Sequence, residues 1–177
     1  LRRQSRRRLD ELRRSAPREA EALVDAARAR YDKAPPHKKK DSEDKEQHPD
    51  RSVVDPLPVP LIIFANKYDK FKSGGELVKK KAVCQALRFL AHKNGASLLF
   101  VSAKDKTLQA TVKTYLSHAL FLADKKSQKL ETNAEKPIFV PRAHDTFADI
   151  NNAGPLDLTG LERSSHRSGG DDMNADT

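Results

Sequence analysis

Two short polar stretches carry the chemistry of this sequence. Asn66-Lys67-Tyr68-Asp69 closes one apolar run, and Ser102-Ala103-Lys104 closes the next. A carboxylate followed back by an amide and a lysine is a set of groups suited to one purine. Guanine offers two adjacent donors, N1–H and the 2-amino group, and two acceptors, O6 and N7. Asp69 could accept both donors at once, which adenine does not present. Asn66 could donate toward the acceptor edge and hold neighbouring loops. The alkyl stems of Lys67 and Lys104 could lie on the faces of the base with their ammonium groups in water. The backbone N–H of Ala103 could donate to O6, and Ser102 would shape the turn.

The elements that must position these groups are legible from periodicity. Val59-Pro60-Leu61-Ile62-Ile63-Phe64-Ala65 is a short, β-branched and aromatic run bounded by Pro56, Pro58 and Pro60, the pattern of a buried strand of a parallel sheet. Residues 96–102 form a second such strand. Each strand ends in one of the polar sets, at the carboxyl edge where open α/β sheets bind ligands. Between them, residues 76–93 read as a helix, with Leu77, Val83, Cys84, Leu87, Leu90 and Ala91 on one face and Asn94-Gly95 as its stop. A last helix is expected over about 106–125. Residues 1–32 carry two apolar stripes at helical spacing. They join at Ser15-Ala16-Pro17-Arg18-Glu19, which looks like a capped restart. Their simplest role is a solvated helix pair covering a sheet face; the sharper alternative is a basic surface, within residues 1–45, for an acidic partner.

This alternation predicts an α/β fold of parallel strands with flanking helices. The strand-end motifs resemble the C-terminal half of a Ras-like P-loop GTPase domain. No Gly-x-x-x-x-Gly-Lys-Ser/Thr is present, and no Asp-x-x-Gly precedes the first strand. Phosphoryl transfer needs such elements, so a non-enzyme is expected. The start at Leu1 rather than Met suggests a piece of a longer protein whose phosphate-binding half lies upstream. The expected divisions are helical residues 1–32, a flexible charged insert at 33–52, the half-domain at 53–125, a linker and surface-docked extended segment at 126–150, and a disordered tail at 151–177.

The bulk figures bound the alternatives. The chain has 177 residues, a net charge of +9 and a mean hydropathy of −0.76. The basic balance would suit an acidic partner, but aromatics are only 6% and do not interleave the basic runs, which argues against nucleic acid. Cys84 is the only cysteine, so an internal disulfide and a cysteine-based metal cluster are excluded. No metal site is expected: His37 and His48 have no matching ligand set, and His92 simply suits the end of its helix. No apolar run is long enough to insert in a membrane, and none reads as a signal peptide.

Longer wording is more specific than the motifs. His48-Pro49-Asp50, Val54 to Ile63, Lys67 to Phe71, Lys81 to His92, Gly95 to Phe100, Lys136 to Val140, and Asp145-Thr146-Phe147 with Ile150 together resemble the cytoplasmic dynein light intermediate chain family, in its dynein 2 branch. The resemblance covers roughly residues 48–150. It implies a Ras-like domain used as a motor subunit, with the dynein 2 heavy chain and other dynein 2 subunits as partners. It further implies a role in retrograde intraflagellar transport and cilium assembly, and a place in the cytoplasm, the cytoskeleton and the cilium with its basal body. GTP or GDP is the one cofactor it leaves open, for the intact protein. The competing reading is a Ras-like regulatory GTPase.

Overall fold

The computed structural model describes residues 2–33, 35, 47–121 and 129–158. The expected α/β class is what the chain adopts. In order, the elements are α1 (Arg2–Ser15), α2 (Pro17–Arg28), a 3₁₀ turn (Ala29–Tyr31), β1 (Ile62–Ala65), α3 (Tyr68–Ser73), α4 (Leu77–Lys93), β2 (Ser97–Phe100), α5 (Lys106–Phe121), β3 (Phe139–Val140) and α6 (Phe147–Asn151).

The sheet has three strands in the order β1-β2-β3. β1 and β2 are parallel, with Ile63 opposite Leu98 and Ala65 opposite Phe100. β3 runs antiparallel to β2, placing Leu98 opposite Val140 and Leu99 opposite Phe139. The sheet is therefore mixed, not parallel throughout. A chain leaving α5 needs only a linker to bring residues 139–140 back along β2, and Pro137 and Pro141 sit just outside the paired residues, where no ladder donor is lost. The central strand β2 is buried along its whole length, whereas Phe64 on β1 is 42% exposed.

Two apolar clusters hold these elements. The larger joins the sheet to α4 and α5 through Tyr68, Cys84, Leu98, Phe100, Leu108, Ile138 and Val140. The second joins Tyr31, Val54, Phe89, Phe147, Ile150 and Leu158. α4 serves both, which explains its weakly amphipathic pattern: Cys84 and Ala91 face one cluster and Phe89 the other. α4 ends at Asn94, and Gly95 takes φ +62° while its N–H bonds the His92 carbonyl at 3.0 Å. A Cβ on Gly95 would sit 2.6 Å from Pro56 Cβ, so glycine is required both for the backbone and for the contact.

Several expectations need amending. Ser15 does not cap α2; Ala16 occupies that position, and the Ser15 hydroxyl bonds back to the carbonyls of Glu11 and Leu12. Residues 68–73 form the short helix α3 directly after the first polar stretch. Residues 33, 35 and 47–52 of the expected insert and 151–158 of the expected tail are among the described residues. His48 is buried within the former, and Leu158 is buried within the latter. Gln85 holds the tail segment by donating to the Leu156 carbonyl at 2.7 Å and accepting from its N–H at 2.9 Å. Residues 36–46 and 159–177, with His37, lie outside the described residues, as do 122–128 at the expected end of α5.

Candidate functional site

The parallel pairing of β1 and β2 brings their carboxyl ends side by side, and the six sequence-derived residues meet there. Asn66 follows β1 directly and is exposed; its Oδ1 accepts the Lys67 N–H at 2.7 Å. Lys67 then adopts the left-handed conformation, φ 61° and ψ 39°, uncommon for a residue with a side chain. That reversal starts α3 and places Asp69 in its first turn. The Tyr68 N–H donates to the Val101 carbonyl at 3.0 Å, stitching the two strand-end loops together.

Ser102 is the hub of the site. It is 3% exposed, donates from Oγ to Asp69 Oδ1 at 2.8 Å, and accepts the Lys104 N–H at 3.2 Å. Lys104 Nζ stands 3.6 Å from the other Asp69 oxygen. The Ser102 hydrogen bond chiefly, and the Lys104 charge beside it, hold the Asp69 carboxyl below the usual carboxylate range. The group is thus an anion, oriented by a buried hydroxyl, with its side chain 29% exposed. Ala103 is exposed, and its carbonyl is taken by the Gln109 side chain at 2.5 Å. The strand ends thus bring together an oriented carboxylate and the Lys104 ammonium.

Beside these residues a cleft of about 610 Å³ runs between β1 and α5, lined by Phe64, Val101, Val112, Leu116 and Leu120 and reaching Asn66 and Ala103. It is apolar and open, with Leu120 68% exposed. Among the described residues no phosphate-binding loop adjoins it. One Asp-x-x-Gly does occur in the chain, Asp157-Leu158-Thr159-Gly160, but it follows both strands, and Leu158 belongs to the second apolar cluster.

Sequence reasoning passed over a second polar assembly. His48, Asp50 and His92 offer ligand atoms within 4.8 Å of one another. The donor set is one that borderline metals accept. Its atoms are already engaged by the protein. His48 Nε2 meets the Asp145 carbonyl at 2.9 Å, which can only accept, so that nitrogen carries the proton. His48 Nδ1 accepts the Asp50 N–H at 3.1 Å. Asp50 Oδ2 accepts from His92 Nε2 and from the Phe147 N–H, both at 2.8 Å. Burial raises the Asp50 carboxyl, but the bonds from His92 and Phe147 and the nearby imidazoles outweigh it and leave the group below its ordinary value. Asp145, in turn, takes Arg88 in a two-point ion pair at 2.7 and 2.8 Å, with both side chains nearly fully buried. The assembly reads as an interlock that ties 48–50 and 145–147 to α4. Its sequence signal was three distant polar residues at positions that periodicity assigned to a helix face or to loops.

No family model matches the chain. Over 103 residues, 58% of its length, it is similar to curated proteins named cytoplasmic dynein 2 light intermediate chain 1. Identity is 40% with the Homo sapiens protein, 38% with that of Mus musculus and 35% with that of Danio rerio. The matched stretch spans 28% of each relative's length. The resemblance to dynein light intermediate chains is therefore borne out over that stretch, which is homologous to part of a dynein subunit. Among solved structures, a dynein light intermediate chain's conserved domain overlaps 61% of this chain and 38% of its own, at 22% identity and a TM-score of 0.49. No described helix is long and apolar enough to cross a membrane.

Proposed function

We propose that this chain forms part of a light intermediate chain of cytoplasmic dynein 2, a non-catalytic subunit that binds the dynein 2 heavy chain. In that role it supports retrograde intraflagellar transport and cilium assembly, and resides in the cytoplasm, on the cytoskeleton and in the cilium with its basal body. The observation that carries the reading is the 103-residue homology at 35–40% identity to proteins of that name. A tagged full-length protein should recover a dynein heavy chain from ciliated cells; repeated recovery of other dynein 2 subunits without it would sink the assignment.

We further propose that Asn66, Lys67, Asp69, Ser102, Ala103 and Lys104 form a guanine pocket in the intact protein, of the kind found in the C-terminal half of a Ras-like domain. Support comes from the orientation of Asp69 by Ser102 and the adjacency of Lys104. In this reading GTP or GDP is a structural ligand and not a substrate turned over by these residues. Asp69→Ala should weaken binding of a fluorescent guanine nucleotide by the full-length protein at least tenfold, while adenine nucleotide binding stays undetectable. Equal affinity in wild type and variant would remove the pocket. A regulatory GTPase would instead show guanine-dependent turnover, lost in the same variant.

A further inference from the structure

α1 is unusual for a helix in a folded chain: none of its residues is buried. It packs along α2 and is moored at one end, where Arg2 bonds the Asn94 side chain at 2.7 Å and the Lys93 carbonyl at 2.9 Å. Its sequence holds seven arginines against Asp10 and Glu11, a surplus of five positive charges. Carboxylates beyond the helix take part of it: Arg2 and Arg6 share Asp55, and Arg13 meets Glu21. Arg7 and Arg8 share the single carboxylate of Glu11, at 3.3 and 2.8 Å, and their side chains remain 82% and 83% exposed. Two guanidinium groups on one carboxylate leave a full charge over, and exposed pairs of this kind bind weakly.

Those arginines rim a concave groove of about 660 Å³ between α1, α2 and the Pro58-Val59 turn. Its floor is largely aliphatic, formed by Leu9, Leu12, Leu23, Pro58 and Val59, with Gln4, Ser5 and the arginine-paired Glu11 also lining it. Leu23 and Val59 are 40% and 51% exposed. A groove with an apolar floor and an arginine rim is the anatomy of a peptide-docking site, in which aliphatic side chains enter and carboxylates meet the rim.

We propose that this groove docks an acidic protein segment that presents aliphatic side chains at helical spacing. Charge complementarity selects the acid, and the aliphatic floor selects the apolar anchors. A flat anionic bilayer cannot fill the concavity. A nucleic acid would find no aromatic ring in it to stack on and would leave the floor wet. The surface lies away from the β1–β2 strand ends and stands independently of the guanine pocket.

The test uses the full-length protein and a fluorescein-labelled peptide of Glu and Leu, with Leu at i, i+3, i+4 and i+7 and all other positions Glu. Anisotropy should show saturable binding that weakens as NaCl is raised from 50 to 300 mM. Arg7→Glu with Arg8→Glu should weaken it at least tenfold. Val59→Ser, at an exposed position and with its fold checked by circular dichroism, should weaken it several-fold. A peptide with every Leu replaced by Ser should lose affinity and should not discriminate wild type from Val59→Ser. The proposal is overturned if the Leu-free peptide binds equally well, or if neither variant changes affinity. It is also overturned if phosphatidylserine vesicles or single-stranded RNA displace the peptide at lower concentration. Self-association that is abolished by the double arginine variant would assign the groove to a second copy of this chain instead.

Discussion

Replacing Arg88 by Met should cost about 3–5 kcal/mol, the penalty for leaving one member of a buried pair without its partner. Arg88 Nε and Nη2 hold the two Asp145 oxygens at 2.8 and 2.7 Å. Without the guanidinium, that carboxylate keeps the Thr146 N–H at 3.1 Å. The loss is large against the roughly 5–15 kcal/mol that holds a typical domain together. It should also be local. Asp145 accepts His48 on its carbonyl and begins the segment that seats Phe147 and Ile150 in the second apolar cluster. Amide exchange at Ile150 should therefore accelerate by two to three decades, since each 1.4 kcal/mol is a factor of ten, while Leu98 and Leu99 on the central strand change less. Urea unfolding would give the global figure and exchange mass spectrometry the local one. The double variant Arg88→Met with Asp145→Leu should recover much of the loss, because removing both charges removes the desolvation problem. The reasoning fails if the single variant costs under about 1 kcal/mol, or if the double variant costs the sum of the two singles.

Other consequences follow from the same geometry. Asp50 has its carboxyl below the ordinary value in the fold. Its contribution is therefore complete above that ordinary value and is lost as pH falls through the folded one. Wild type should lose stability below about pH 4 more steeply than Asp50→Asn, and parallel acid limbs in urea titrations would contradict this. The Cys84 thiol is buried and is pushed up to about 11 by that burial. Labelling by a disulfide reagent at pH 8 should be slow in the native chain and fast in urea; equal rates would show an open site. Gly95→Ala should cost more than Gly75→Ala. Both have positive φ, at about 1–2 kcal/mol for a side chain, but only a Cβ at Gly95 strikes a neighbour, Pro56. Matched urea midpoints for the two variants would refute the contact.

β1, β2 and α4 were legible near the candidate pocket because each is written locally. The β-branched run before Asn66, the 3.6-residue spacing of 77–93 and the Asn94-Gly95 stop depend on near neighbours alone, as does the placement of polar residues at strand ends. What was not legible depends on pairing across long stretches of chain. Nothing near Lys67 announces a left-handed residue; its conformation is imposed where Tyr68 must reach the Val101 carbonyl. β3 is two residues long, and its antiparallel sense depends on how residues 129–138 return, with Glu131 bridging Phe139.

His48 shows the same limit most sharply. It sits next to a Lys-, Asp- and Glu-rich stretch whose composition argues for solvent, yet it is 2% exposed. Composition averages over a window, whereas burial is decided one side chain at a time by whether its polar atoms find partners. His48 finds the Asp145 carbonyl and the Asp50 N–H, and its ring packs edge-on against Tyr31 at 5.0 Å between centroids. Each partner comes from a different part of the chain. The interlock therefore makes the boundary of the folded unit a tertiary property: residues 47–50 belong to it because 88, 92 and 145–147 are already in place. The prolines and charges around them would, taken by themselves, argue the opposite.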